Sequence, residues 1–223
     1  VDGLETLLMR RVRTSGFVPG AYVFPGGRVD EADGDPALLE RVDGPATAPD
    51  PAYWTAVLRE VFEETGVLLA RDGAGRPLPD AGRDARLAGW REALMERRAT
   101  LGEVLRDLEL RLALDDVVYF AHWITPLAES RRYDTRFFMA RLPEGCEASA
   151  DPREMTDALW LRPTEAVERF RAGRLPMVFP TVATLESLAR FHTVDDALAA
   201  WRDRPVRPIL PRLVRTAAGV GIV

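Results

Sequence analysis

Lysine, asparagine and glutamine are absent from this 223-residue chain, so all 30 of its basic side chains are arginines. Without lysine there is no phosphate-binding loop of the Gly-Lys-Ser/Thr type and no Schiff-base chemistry. A single cysteine, Cys146, excludes an intrachain disulfide and a cysteine metal site. The two histidines, His122 and His192, lie far apart, which removes a multi-histidine zinc site. None of the four serines (Ser15, Ser130, Ser149, Ser187) sits in a G-x-S-x-G context, so nucleophilic triads are poor candidates. Apolar runs are short, well under the roughly 18 residues of a membrane span, and no charged-then-apolar leader opens the chain. A net charge of −5 gives nucleic acid no basic surface. The expectation is a reducing, cytoplasmic setting with no membrane or nucleic-acid partner. The first residue is Val1, which suggests that native N-terminal residues precede it.

What remains is carboxylate and guanidinium on a chain that is 47% hydrophobic, enough for one sizeable core. Strands are predicted at Leu4–Val12, Ala21–Phe24, Val67–Ala70, Val117–Thr125, Thr135–Arg141 and Asp157–Leu161. Helices are predicted at Pro51–Thr65, Ala85–Arg98, Leu101–Glu109, Pro163–Arg171, Thr181–Arg190 and Val194–Trp201. Asp30–Asp50 is acidic and rich in Gly, Pro and Ala. It reads as a surface insertion with room for one short helix near Pro36–Arg41. Arg71–Asp84 reads as a loop, and the tail from Arg204 to Val214 as too rich in proline for regular structure. Strands mixed with helices throughout indicate an α/β or α+β fold, taken as one domain over 1–223 with insertions at about 34–50 and 77–113.

The sharpest feature is "REVFEETGVLL", Arg59–Leu69. Asp50 and Pro51 make a good helix start and Gly66 a left-handed stop. On that helix Glu60, Glu63 and Glu64 share an arc of about 100°. Val57, Leu58, Val61 and Phe62 fill the side facing the core, and Arg59 is one turn from Glu63, where an ion pair forms. Three carboxylates at a helix C-terminus oppose both one another and the backbone dipole. One resolution is a solvated acidic face. The other is a hard divalent cation, which takes such oxygen ligands.

The spacing favours the second. Arg59-Glu60-apolar-x-Glu63-Glu64-x-Gly66-apolar fits the second half of the Nudix box in every specified position, and the chain resembles a Nudix hydrolase. "FPGG" (Phe24–Gly27) resembles the opening of the box and Asp33 stands at its first carboxylate position. Arg59 falls 18 residues later than an uninterrupted box would place it. An interrupted box is similar to one branch of the family, the peroxisomal coenzyme A diphosphatases and their bacterial relatives. "LLMRRVRTSGFVPGAYVFPGG", "SRRYDTRFFMARLP" and "EMTDALWLRPTEAVERF" also look like that branch, over roughly Leu4–Phe191. Gly16 stands where its coenzyme A signature has an arginine, with Arg11 and Arg13 as available substitutes. The last residues, Gly221-Ile222-Val223, are not the Ser-Lys-Leu peroxisomal address, which fits a bacterial cytoplasmic relative.

The resemblance implies a Nudix-type α/β/α sandwich with a mixed sheet. It further implies hydrolysis of a nucleoside diphosphate linked to another group, with Mg²⁺ or Mn²⁺ held by Glu60, Glu63, Glu64 and the Gly27 carbonyl. It makes Arg59 the residue that orients those glutamates. The base is open between Glu60 and a later carboxylate, for which Glu154 is the candidate; an ordinary loop acid is the competing reading of Glu154. Substrates weighed are coenzyme A or its thioesters, and ADP-ribose, NADH or another nucleotide-linked diphosphate. A Nudix-fold binding module without hydrolysis is a third reading.

For phosphate binding the candidates are Arg28, Arg132 and Arg136. Period two puts Arg132, Asp134 and Arg136 on one side of their strand, and a structural Arg136–Asp134 ion pair is the alternative. His122 reads as structural, His192 as surface and Cys146 as a plain loop thiol. In Ala85–Glu109, Leu87, Trp90, Leu94 and Leu101 form one stripe if the two helices are nearly continuous, with Arg86, Arg91, Arg97 and Arg98 opposite. The expectation is a contribution to the substrate entrance or to a homodimer contact, with packing on the sheet as the alternative.

Overall fold

The computed structural model describes residues 3–14, 18–44, 50–216 and 219–222. Ser15 and Gly16 lie outside the described residues, as does the stretch 45–49 of the predicted insertion.

The chain begins with strand β1 (Thr6–Arg11) and the two-residue strand β2 (Tyr22–Val23), then a 3₁₀ turn, Glu31–Gly34, and a single helical turn α1 (Pro36–Leu39). Strand β3 (Val42–Asp43) precedes α2 (Pro51–Thr65) and β4 (Ala70–Arg71). Helices α3 (Ala85–Met95) and α4 (Leu101–Asp107) follow, then β5 (Arg111–Ala113), β6 (Val117–Ile124), β7 (Asp134–Ala140) and β8 (Met155–Leu161). The remainder is α5 (Pro163–Arg171), α6 (Phe179–Leu188), α7 (Val194–Trp201), β9 (Pro208–Ile209), β10 (Leu213–Thr216) and β11 (Gly219–Ile222). This is the expected mixed α/β architecture.

The strands form small separate sheets. β1 lies between β2 and β8, antiparallel to both; β6 pairs antiparallel with β7 and parallel with β9; β5 joins β3 and β4. The β1–β8 pairing carries Arg11 opposite Met155 through a register shift. It therefore brings the end of β1 beside the turn that precedes β8.

Helix α2 spans the predicted range. Asp50 caps it by accepting from the Ala52 N–H, and Gly66 closes it at φ 76°. Leu58 and Phe62 are wholly buried in a core with Val67, Leu68, Leu87, Leu94, Leu101, Val104 and Leu112, while Val57 and Val61 are half-buried against it. Burying one such side chain is worth about 1.5–3 kcal/mol, so the apolar face holds α2 while its opposite face turns to the FPGG loop.

Three expectations are corrected. The tail is not irregular: Pro208–Ile209 pairs with β6 at an edge, where a missing N–H is tolerated, and a hairpin follows. Only Ala70 of the predicted strand Val67–Ala70 enters a ladder, although all four of its residues are buried in the core. The inserted stretch is not only surface, since Leu38 is 2% and Asp33 1% exposed. Cys146 is the unactivated loop thiol expected: its thiol donates to the Leu78 carbonyl, and burial pushes it up, away from reactivity.

The insertion at Ala85–Glu109 is two helices, as expected, and they are not continuous. Glu96–Ala99 breaks it, with Arg97 left-handed at φ 56° and Thr100 capping α4 in a capping box. Leu87, Leu94 and Leu101 pack on the main core as the stripe predicts.

Candidate active site

Arg59 organises the site. It is 7% exposed, and its guanidinium donates from Nε to Asp33 Oδ1 at 2.9 Å and from Nη2 to Asp33 Oδ2 at 3.0 Å. The same Nη2 reaches the Arg28 carbonyl at 2.7 Å, and Nη1 donates to Glu60 at 3.0 Å and Glu63 at 3.2 Å. Burial works against this cation, but the Asp33 hydrogen bonds and the charges of Glu60, Asp33 and Glu63 overturn that and raise its pKa. Asp33 also accepts from the Asp30 N–H at 2.8 Å, so the short carboxylate ties the incoming loop to the helix.

The FPGG loop is clamped from the other side. The Gly26 N–H donates to Glu64 Oε2 at 2.8 Å, and Glu64 is 4% exposed. A Cβ at Gly27 would run into the Glu60 carboxylate, so only glycine permits this approach of backbone to acid. The rings of Phe24 and Phe137 meet edge to face at 6.1 Å, which fixes the loop against β7.

The electrostatics show what this crowding costs. Burial raises the Glu60 pKa to about 7, helped by Glu63 and Glu154 and opposed by Arg59. It raises Glu64 to about 8, opposed by the Gly26 N–H and helped by Glu60 and Glu154. Glu63 is raised for the same first reason, with Arg59 opposing. A helix end that keeps three such carboxylates together stores repulsion that a hard cation would relieve. Among the described residues, no three carboxylate, imidazole or thiol groups converge as a coordination shell. Glu60 and Glu63 are turned onto Arg59, and Glu64 onto Gly26. The donor set and the glycine cradle nevertheless fit a hard divalent ion.

The remaining predicted residues divide. Glu154 is exposed in the turn before β8, and its charge helps raise both Glu60 and Glu64. Arg11 also acts on Glu64, lowering its pKa. Arg28 contributes its carbonyl to Arg59, and its side chain is exposed. Arg132 donates to the Thr125 carbonyl at 3.2 Å. Arg136 bonds Asp134 at 2.9 Å, realising the structural pair, and stacks over Tyr53 at 3.8 Å from the ring centre. His122, buried, bonds the same Asp134 and is structural as expected. Tyr53 shares a helix face with Glu60, seven residues and about 10 Å along the axis.

Arg91 was misplaced by the sequence reading. It does not point away from the core but bonds the end of α2, donating to the carbonyls of Glu63 and Glu64 at 2.9 Å each. Four residues from Leu87 and three from Leu94, it falls on their side of α3 by the helical period, so it does not belong to the opposite, arginine-rich face.

Among the described residues no helix is long and apolar enough to cross a membrane. The family model described as the NUDT19 Nudix domain matches residues 38–188. The chain belongs to the Nudix hydrolase family. It is 29% identical, over 90% of its length, to a Gallus gallus protein named acyl-coenzyme A diphosphatase NUDT19, and 27% identical over 98% to the Homo sapiens protein of that name. It spans 65% and 70% of those two relatives. A crystal structure of a Nudix hydrolase from Alicyclobacillus acidocaldarius superposes with a TM-score of 0.71 at 30% identity, covering 91% of each chain.

Proposed function

We propose that this Nudix hydrolase is a metal-dependent diphosphatase that cleaves a nucleoside diphosphate linked to another group, with coenzyme A or its thioesters as substrate. The observation that carries the reading is the packing of Glu60 and Glu64 of α2 against the backbone of Gly26–Gly27, with Glu63, Arg59 and Asp33 behind them. Glu60, Glu63, Glu64 and the Gly27 carbonyl are the residues that would hold Mg²⁺ or Mn²⁺. When bound, such an ion neutralises bridging phosphates and lowers the pKa of a coordinated water.

The chain's own groups do the rest. Glu154 accepts the proton of the attacking water from its exposed turn beside Glu60 and Glu64. Its charge reaches both sites, whereas Glu60 is held by Arg59 and is the poorer base. Arg11, whose charge acts on Glu64, and the Arg136–Tyr53 stack along the same face of α2 offer a guanidinium and an aromatic surface to the nucleotide. The names of the relatives support the coenzyme A class. Gly16, in place of the branch's arginine, favours a second reading, an ADP-ribose or NADH pyrophosphatase.

A panel of coenzyme A, acetyl-coenzyme A, ADP-ribose and NADH, each with Mg²⁺ or Mn²⁺ and read by mass spectrometry, decides between them. Coenzyme A species should be cleaved with the highest kcat/KM, and product masses show which phosphorus is attacked. Preference for ADP-ribose or NADH selects the second reading. Binding without cleavage of any of them refutes both in favour of a ligand-binding module.

A further inference from the structure

The C-terminal end of a helix leaves its last carbonyls without intrahelical partners. In α2 all of them are taken, and by three separate parts of the chain. Gly66 N–H serves Phe62, Ala81 N–H serves Gly66, Ser149 N–H serves Thr65 at 2.8 Å, and Asp151 N–H serves Glu64 at 3.1 Å. Arg91 joins these parts. From α3 it donates to the Glu63 and Glu64 carbonyls, and on its other side to the Ser149 carbonyl at 3.0 Å and Ser149 Oγ at 3.2 Å. The fit is tight: a Cβ at Gly66 would come within 3.0 Å of Arg91 Nη1 and 3.4 Å of Ser149 Oγ. The segment clamped in this way leads directly into Glu154. Asp151 turns the chain by accepting from the Glu154 and Met155 N–H groups, and the Glu154 carbonyl accepts from Val12 on the far side.

We propose that Arg91 is a positioning residue: it fastens the Ser149–Asp151 segment to the carbonyl end of α2 and thereby holds Glu154 against Glu60 and Glu64. The inference rests on the reading of Glu154 as the base and gives the inserted helix α3 a role in the reaction without contact to substrate. It also answers part of the puzzle of three acids at a helix C-terminus. A guanidinium on the carbonyls of Glu63 and Glu64 counters the negative end of the dipole where those side chains leave the backbone. The planar fork suits the task, because one group serves several oxygens that a lysine could not reach together.

The test compares Arg91→Met, Arg91→Lys and Glu154→Gln, and combines Arg91→Met with Glu154→Gln. Amide exchange is read first. Arg91→Met should speed exchange at Ser149 and Asp151 about tenfold or more, with Leu58–Phe62 still protected. For turnover, Arg91→Met should lower kcat about 10–100-fold with KM changed less than about threefold. The double variant should be no slower than Glu154→Gln alone, and Arg91→Lys should recover part of the loss. Unchanged exchange at Ser149 and Asp151, or a kcat loss that adds in full to that of Glu154→Gln, overturns the proposal. Exchange needs no turnover, so it judges the clamp even if the choice of substrate is wrong. Wild-type kcat in Glu154→Gln instead removes the base and, with it, the catalytic role given to Arg91. Should Arg91→Met fail to fold, Arg91→Lys and Ser149→Ala, which removes only the hydroxyl contact, carry the same two readouts.

Discussion

Arg59 and Arg91 are guanidiniums toward the same end of α2, the first buried and the second half-buried, and they meet opposite surroundings. Arg59 faces charge: Asp33, Glu60 and Glu63 all accept from it, and its pKa rises. Arg91 faces carbonyls and a hydroxyl, and burial lowers its pKa with only the charge of Asp151 opposing. The first is an electrostatic hub whose partners depend on its sign. The second is a clamp whose value lies in the number and direction of its donors. Neutralising each should therefore fail in different ways, and the predictions run from the largest of these failures to the smallest.

Arg59→Met should be the most damaging single change. It leaves Asp33, 1% exposed, as an uncompensated buried charge beside three other acids. Removing one partner of such a pair costs about 3–5 kcal/mol. Urea unfolding of the purified variant measures it. A loss below about 1 kcal/mol would mean that Asp33 finds another donor, and that the hub picture is wrong.

Next come the acids that the hub serves. Glu63→Gln and Glu64→Gln should each lower kcat at least about a hundredfold while the fold persists, since each removes an oxygen anion from the proposed cation site. Retention of most of the kcat by both sinks the metal-site reading. These substitutions also separate function from stability, because metal-free protein should lose nothing by them.

That last point has a pH signature. The folded-state values of Glu60 and Glu64, about 7 and about 8, lie above the ordinary 4.5. Between these limits the folded state binds more protons than the unfolded state, so stability falls as pH rises through roughly 4.5 to 8. The two acids titrate as a coupled pair. Calorimetry on chelator-treated protein should show Tm declining from pH 5 to pH 8. The decline should be smaller in Glu64→Gln and smaller again with added Mg²⁺, which takes the place of the protons. A flat or rising Tm contradicts the stored repulsion.

The two arginines also mark how far the sequence could be read. Arg59 is legible because its partners lie in one local pattern: Glu60 and Glu63 follow within a turn, and Asp33 sits at a fixed place in the box. The limits of α2 are legible for the same reason, since Asp50, Pro51 and Gly66 are local signals. Arg91 is not legible. The period puts it on the side of Leu87 and Leu94, but its partners come from residues 63–64 and 149, which no local spacing reveals. The pairing of the proline-rich tail with β6 is hidden likewise, because an edge position forgives Pro208 only once the neighbouring strand is known. Glu154 was proposed through resemblance, and the position of its turn depends on the long-range pairing of β1 with β8.

A third arginine supplies the smallest effect and the sharpest control. Arg98, in the break between α3 and α4, pairs with Glu96 while more than half exposed. It lines a surface groove of about 440 Å³ with Trp90, Ala99, Glu103, Arg106 and Asp107, none of which belongs to the carboxylate site. The arginine-rich face of the insertion was expected to meet substrate or a second copy of the chain, and this groove is where that expectation now rests. Exposed ion pairs are worth about 0–1 kcal/mol, so Arg98→Glu should shift stability by less than about 0.5 kcal/mol. If the groove takes no part in catalysis, KM also stays within about twofold and the mass by light scattering is unchanged. A KM raised about tenfold would make the groove part of the substrate entrance, and a changed mass would make it a contact between subunits. Either result would mean that the insertion has two working faces, one clamping α2 through Arg91 and one meeting a partner through Arg98. With neither, Arg91 is the arginine of this helix that matters to the reaction.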